Sequence, residues 1–518
     1  MGRSQGTQAY KISAPLGGLN VRDPENRVGP NEALALKNYY ALHSSIRAVG
    51  NSTQVVTAMD ADDVYSMTSW SLSTGAERIV AVAPTKIYLI NSSYSVSDIT
   101  GSGTISNNAQ GANCQFVPFS NRLFIINQNN NDDISVIDRT GGAATLAAFT
   151  GPSSDDKILG YGWAYKGRLY FIEGQAATFS SSFWYAGLGA VTGSLTEVDL
   201  AEILQDVEHL MWGASWSFNQ GGYNEELCVI GTYSGELLIY SGDNPAADNW
   251  ELVIRAKIPR PIGRRAIVKI GSDLAIATVE GIILLSQALS ANATPASLYT
   301  VTDKVRRHYE RGGAWSDRNT PQDVEKNQII LSTEEPFLYT QVKTLEATIG
   351  DDPLIFALNL RTGGWSSLTT TADDALLSIC FAFGDLHYST PDNGIYILES
   401  SSTQGDVREW ATGWLDLGIS EIKSITYARL FANHTALSSN ASTDYTLTIN
   451  RDYKASGINT VSKTATMAGS ASTEMTDPTE FEIGITGRWF QFVVTADNQG
   501  IDEITELEIE FEVGGGLN

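Results

Sequence analysis

The chain has 518 residues, 42% of them apolar and 18% charged, and its 34 basic against 59 acidic residues give a formal net charge of −25. That length and apolar share can bury a large core in two or three units, which excludes a disordered chain. The charge excludes tight, sequence-independent gripping of nucleic acid, and three cysteines (Cys114, Cys228, Cys380) are too few for a disulfide framework.

Residues 1–55 differ in character from the rest. They carry Arg3, Lys11, Arg22, Arg27, Lys37 and Arg47 against Asp23, Glu25 and Glu32, so this stretch is basic in an acidic chain. It reads as an N-terminal extended arm that gains order by docking on a partner or neighbouring subunit. Leu16 through Pro24 is a turn-rich strip. Pro30 through Asn38 has Pro near its start and Lys near its end, which predicts one short helix. The first residues lack an apolar leader, Gly6 stands where a myristoylation signal wants Ser or Thr, and no apolar run reaches the ~18 residues of a membrane helix. The expectation is a chain made and folded in a cytoplasm.

From about 56 to 405 one short element recurs, a turn or charged residue followed by a run of apolar β-formers. It appears at Lys86 to Ile90, Arg122 to Ile126, Arg168 to Ile172, Glu236 to Tyr240, Gly281 to Leu285 and Gly394 to Leu398. From Ile87 the steps to Leu123, Leu169, Leu237 and Ile282 are 36, 46, 68 and 45 residues. A period near ~40, irregular but persistent, is the signature of β-propeller blades. Eleven Trp and 21 Tyr beside abundant β-branched residues support an all-β fold. Six to eight blades are expected, with seven favoured, and the uneven steps suggest insertions near 174–205 and 286–325. A second motif is a strand, a turn and a Trp, seen at Ile355 to Trp365 and Leu238 to Trp250; it fits a blade hairpin whose Trp packs on the neighbouring blade. Cys228 and Cys380 lie inside apolar strand runs, as buried thiols do.

Residues 406–518 form a C-terminal β-sandwich-like unit, with strands expected around 422–431, 445–450, 489–495 and 505–513. The last alternates Glu506, Glu508, Glu510 and Glu512 with Leu507, Ile509, Phe511 and Val513, so apolar residues share one face and four carboxylates the other. A solvated outer face is the plain reading; a channel wall that must not hold DNA is the sharper one.

No catalytic constellation emerges. The five histidines fall at no metal-binding spacing, and neither a phosphate loop nor a nucleophile elbow is present. The acidic stretch 127–133 lacks the glycine and closing glutamate of a calcium loop. No cofactor, metal or catalytic residue is therefore expected. One basic island stands out: between 251 and 315, ten Lys/Arg face five acids. It suggests a contact surface toward an acidic neighbour, with a solvated face as the simpler alternative.

Three places resemble one family, the tail nozzle or hub proteins of short-tailed bacteriophages, which include the tail tubular B and packaged-DNA stabilisation types. They are the strip Leu16 to Pro24 with Ile46-Arg47, the run Val279 to Ser286 leading to Val301 through Tyr309, and the β unit that follows the propeller. The chain departs from that pattern at Arg47-Ala48-Val49-Gly50. The resemblance implies a non-enzymatic virion tail protein, assembled in the host cytoplasm as a homohexameric ring below the portal and adaptor. That ring would retain and eject double-stranded DNA without binding it tightly, and carry a needle, spike or fibre. It makes Arg22, Asp23, Arg27, Arg47, Lys304, Arg306, Arg307 and Arg311 interface candidates, and Glu506, Glu508, Glu510 and Glu512 lumen candidates. A carbohydrate-binding or glycan-cleaving propeller acting in host adsorption is the alternative, and a bacterial scaffold propeller a third reading.

Overall fold

A computed structural model describes residues 6–514 apart from 58, 60–62, 104–112, 128–132, 152–158, 175–179, 206–208, 221–222, 291–299, 307–327, 333–335, 343–353, 371–375, 392–393, 401–406, 437–442, 468–477 and 498–499. The fold is all-β, a propeller joined to a β-sandwich. Among the described residues seven blades follow one another as antiparallel meanders. Their innermost strands are Ser66–Ser71, Cys114–Phe119, Leu159–Tyr165, Leu210–Gln220, Ile267–Ile270, Ile329–Leu331 and Ser378–Ala382. Blade seven takes its outer strand from Asn51–Val56, which pairs with Ile395–Ser400, so the two ends of the propeller sequence close the ring in one sheet. That strand moves the propeller boundary back to residue 51.

Separate apolar clusters fill the wedges between blades. Leu89, Leu123 and Ile125 join blades one and two, Phe124, Phe149 and Phe171 blades two and three, and Leu368, Ile379 and Tyr388 blades six and seven. Val64, Ile79 and Tyr88 of the first blade pack with Cys380 and Ile395 of the last, completing the circle. Trp250 stacks on Tyr240 of its own blade at 5.0 Å and reaches Tyr170 and Phe183 of blade three, the neighbour-packing role expected of it. Cys114, Cys228 and Cys380 are all buried thiols, and burial pushes Cys228 up to about 12.

The recurring sequence element occupies different blade positions. It is the second strand of blades two and three (Arg122–Asn127, Arg168–Glu173) but the third strand of blades one, four, five and seven. Switching between second and third strand lengthens one step and shortens another, which accounts for the steps of 36 and 68. The stretch 174–205 is accordingly no insertion, because Ser182–Tyr185 and Thr196–Asp199 are the third and fourth strands of blade three. The excursion after Leu284 does depart from the blades; it holds a helix at Leu285–Ser290 and a 3-10 turn at Asp303–Val305.

The C-terminal unit stacks two sheets. One consists of Gln8–Ser13, Tyr39–Ala41, Ile46–Ala48, Gly500–Val513, Lys423–Ala436 and Thr479–Gly487. The other continues blade six through Ala35–Lys37 into Arg408–Ala411, Phe490–Asp497, Thr443–Arg451 and Thr460–Met467. Leu507, Ile509 and Phe511 meet Tyr445, Leu447 and Phe492 between them, as the alternation required.

The N-terminal segment is therefore no free arm. Ile12 pairs opposite Leu507 and Ile46 opposite Ile504, and Ile12, Leu36 and Tyr39 are fully buried. The helix expected over 30–38 is instead the strand Ala35–Lys37, held between blade six and Arg408–Ala411. Pairing on both edges and burial of Leu36 outweigh the local helix signals. Gly18, at φ +71°, lies so close to Trp365 of blade six that a Cβ would come within 2.2 Å of its backbone nitrogen.

Candidate functional site

The leading ends of the inner strands gather at one end of the propeller axis, where hydrogen bonds link them. Ser66 Oγ accepts from the Cys114 amide, Ser378 Oγ accepts from the Met67 amide, and Ser378 Oγ donates to Gln328. Into this belt the sequence Arg264-Arg265, just ahead of blade five, sends two guanidinium groups. Arg265 donates to Tyr65 O at 3.0 Å and Ser66 Oγ at 3.2 Å in blade one, and to Leu377 O beside blade seven. Arg264 donates to Glu173 O of blade three at 3.0 Å. Both side chains are buried, with 4% and 8% residue exposure. Arms from blade five thus reach blades three, seven and one across the interior of the ring. The basic island had drawn attention to these arginines as a contact surface; their apolar neighbours Ile262, Ala266 and Ile267 were the sequence signal for burial.

The interface candidates near the N terminus grip one another. Arg22 donates to Asp23 at 2.9 Å and to Asp303, while Asn20 donates to Asp23 at 2.9 Å and Glu32 at 2.7 Å. Lys304 pairs with Glu32 at 2.8 Å, and the amides of Val21 and Arg22 both donate to Lys304 O. The Arg22 guanidinium and the Asn20 amide hold Asp23 down at about 2. Burial opposes ionisation of Glu32, yet bonds from Lys304 and Asn20 keep it below its ordinary value. Arg22, Asp23 and Lys304 thus form a clasp between the N-terminal strip and the excursion after blade five. Arg27 is exposed, Arg47 lies over the Tyr40 ring at 5.6 Å, and Arg306 is half-buried at the end of the 3-10 turn. Arg307 and Arg311 lie outside the described residues.

The lumen candidates line the outward side of the six-stranded sheet. Lys11 contacts Glu506 at 2.7 Å and Glu508 at 3.5 Å, and Arg429 contacts Glu480 at 2.9 Å, Glu508 at 3.0 Å and also Glu510. Glu482 and Glu512 are exposed. Among the described residues these six carboxylates (Glu480, Glu482, Glu506, Glu508, Glu510 and Glu512) against Lys11 and Arg429 sum to −4. This face belongs to the sandwich and not to a propeller strand.

No family model and no curated protein matches this chain. Solved structures share its fold at low identity. A streptogramin B lyase is 13% identical over 68% of this chain and 97% of its own length, with a TM-score of 0.40. Virginiamycin B lyase from Staphylococcus aureus is 12% identical over 68% and 98%, TM-score 0.41. BamB from Moraxella catarrhalis is 9% identical over 70% and 93%, TM-score 0.34. The likeness is one of propeller fold alone.

Proposed function

We propose that this chain is a virion structural protein, a tail nozzle or hub subunit whose ring forms a conduit for retaining and ejecting double-stranded DNA below the portal and adaptor. The reading assigns it no catalytic role, and a needle, spike or fibre as distal partner. The observation that carries it is the acidic outward sheet, six carboxylates against two cations in a chain of −25. A duplex exposes one negative charge per ~1.7 Å, so a wall of this sign lets it slide, whereas a basic wall would hold it. The bridges that Arg264 and Arg265 make across the ring to blades three, one and seven favour a lumen shared between copies over a path through one subunit.

Titration of the assembled protein with duplex DNA at ~150 mM salt tests this reading. No complex is expected. Sub-micromolar, salt-dependent binding would return the protein to the DNA-gripping class.

A further inference from the structure

The turn at the outer end of blade one reaches across the seam to blade seven through Tyr94. It joins Ile87–Ile90 to Val96–Asp98, and Asn91 Oδ1 shapes it by accepting from the amides of Ser93 and Ser95. Ser92, Ser93, Ser95, Ser97 and Asp98 are exposed, so Tyr94 and Val96 alone of residues 92–98 are half-buried. Tyr94, at φ +58°, sets its ring 6.2 Å from Phe383 and 5.8 Å from His387. On the strand Asp385–Ser389, Leu386 and Tyr388 pack toward blade six, so alternation turns His387 toward blade one, where it is fully buried. Its Nδ1 lies 3.1 Å from Asp385 O, which only accepts. The ring therefore carries its proton on Nδ1, and Nε2 accepts from the Tyr94 hydroxyl at 3.2 Å.

A proton added at Nε2 would set a donor against a donor and leave an imidazolium out of reach of water. Burial pulls the pKa of His387 down to about 4, although Glu77 of blade one favours the charged ring. That carboxylate is already engaged, accepting from the Phe383 amide at 2.9 Å and from Ser69 Oγ. Burial pushes the Tyr94 phenol up, and the Asp385 carboxylate adds to this; burial also pushes up the Cys380 thiol, opposite His387 on the inner strand. Glu399 stands two positions beyond Ile397, the other strand partner of His387. We propose that the turn 91–95 is an acid-released flap: protonation of His387 at Nε2 lifts Tyr94 off blade seven and admits water to the ring, while the seam beneath stays shut. Other ties hold that seam without the histidine. Asn51–Val56 pairs with Ile395–Ser400, Ser389 Oγ donates to Val64 O at 2.7 Å, and the Met67 amide donates to Ser378 Oγ at 3.0 Å. The far end of the hairpin is anchored by Lys86 on Asp98, which leaves its tip as the part that moves.

With the flap open the ring returns to its ordinary 6.5, so between that value and about 4 the open form binds a proton that the closed form does not. Lowering the pH from ~7 to ~5 should therefore raise the open fraction on the order of tenfold. Amide exchange of the wild-type chain at these two pH values, corrected for intrinsic rate, reads this directly. Residues 91–98 should accelerate by that factor, while the matching turn of blade two, 139–144, keeps its protection. H387Q, whose amide oxygen can still accept from Tyr94 but does not titrate, should lose the response. Equal acceleration of both turns, no acceleration at 91–98, or an H387Q chain that still responds would overturn the flap. If H387Q does not fold, the comparison of the two turns in wild type decides alone.

Discussion

At the scale of single residues, the seam between blades seven and one rests on a neutral histidine. His387 is fully buried; its Nδ1–H donates to Asp385 O at 3.1 Å and its Nε2 accepts from the Tyr94 hydroxyl at 3.2 Å. Burial pulls its pKa from 6.5 down to about 4. Between those values the unfolded chain binds the proton and the folded chain does not, so the stability from this group is complete above pH 6.5 and is lost as pH falls toward 4. Thermal melts should decline over that window, and H387N should flatten the decline; a variant with the same pH profile as wild type would remove His387 from the account. Arg265 offers a second test. Replacing it with Met leaves Tyr65 O, Ser66 Oγ and Leu377 O without that donor and should cost about 2–4 kcal/mol in denaturant unfolding. R265K, whose single ammonium cannot span two blades, should recover only part of the loss.

At the scale of elements, the N-terminal segment decides how the units hold together. Its strands supply Ile12, Leu36 and Tyr39 to the core shared by blade six and the sandwich. Deleting residues 1–45 should abolish the cooperative melting of that core, and I12A alone should destabilise by about 2–4 kcal/mol. A truncated protein that melts like the full chain would show that the segment is dispensable. The strands of this chain were legible where alternation and burial agree, as in Glu506 to Val513 and the apolar runs of the blades. The N-terminal strands were not. Basic charge and turn residues describe a segment by itself, whereas Ala35–Lys37 exists because two distant strands, Trp365–Thr369 and Arg408–Ala411, leave a slot between them. Blade phase was hidden for a similar reason: Arg122–Asn127 and Glu236–Ser241 carry the same pattern as second and third strands, since both are buried on two faces.

At the scale of the whole molecule, sequence predicted charge sign, fold class and a second β unit, but not where the charges would find partners. Arg22, Asp23 and Lys304, interface candidates in the sequence, tie the strip to the excursion within one chain; Arg264 and Arg265, read as part of a contact patch, bridge blades across the ring. Such pairings join residues from 91 positions apart, as Arg264 with Glu173, to 281, as Arg22 with Asp303, and no local pattern encodes them. What remains outward on the six-stranded sheet is acidic. In the proposed assembly, copies of this chain together enclose the passage for DNA. Electron microscopy of the purified, assembled protein tests it most directly. A closed ring with one rotational axis is expected, of about six copies as the family resemblance implies, its opening bounded by neighbouring subunits. Monomers, or an assembly whose only passage runs through the propellers themselves, would contradict it.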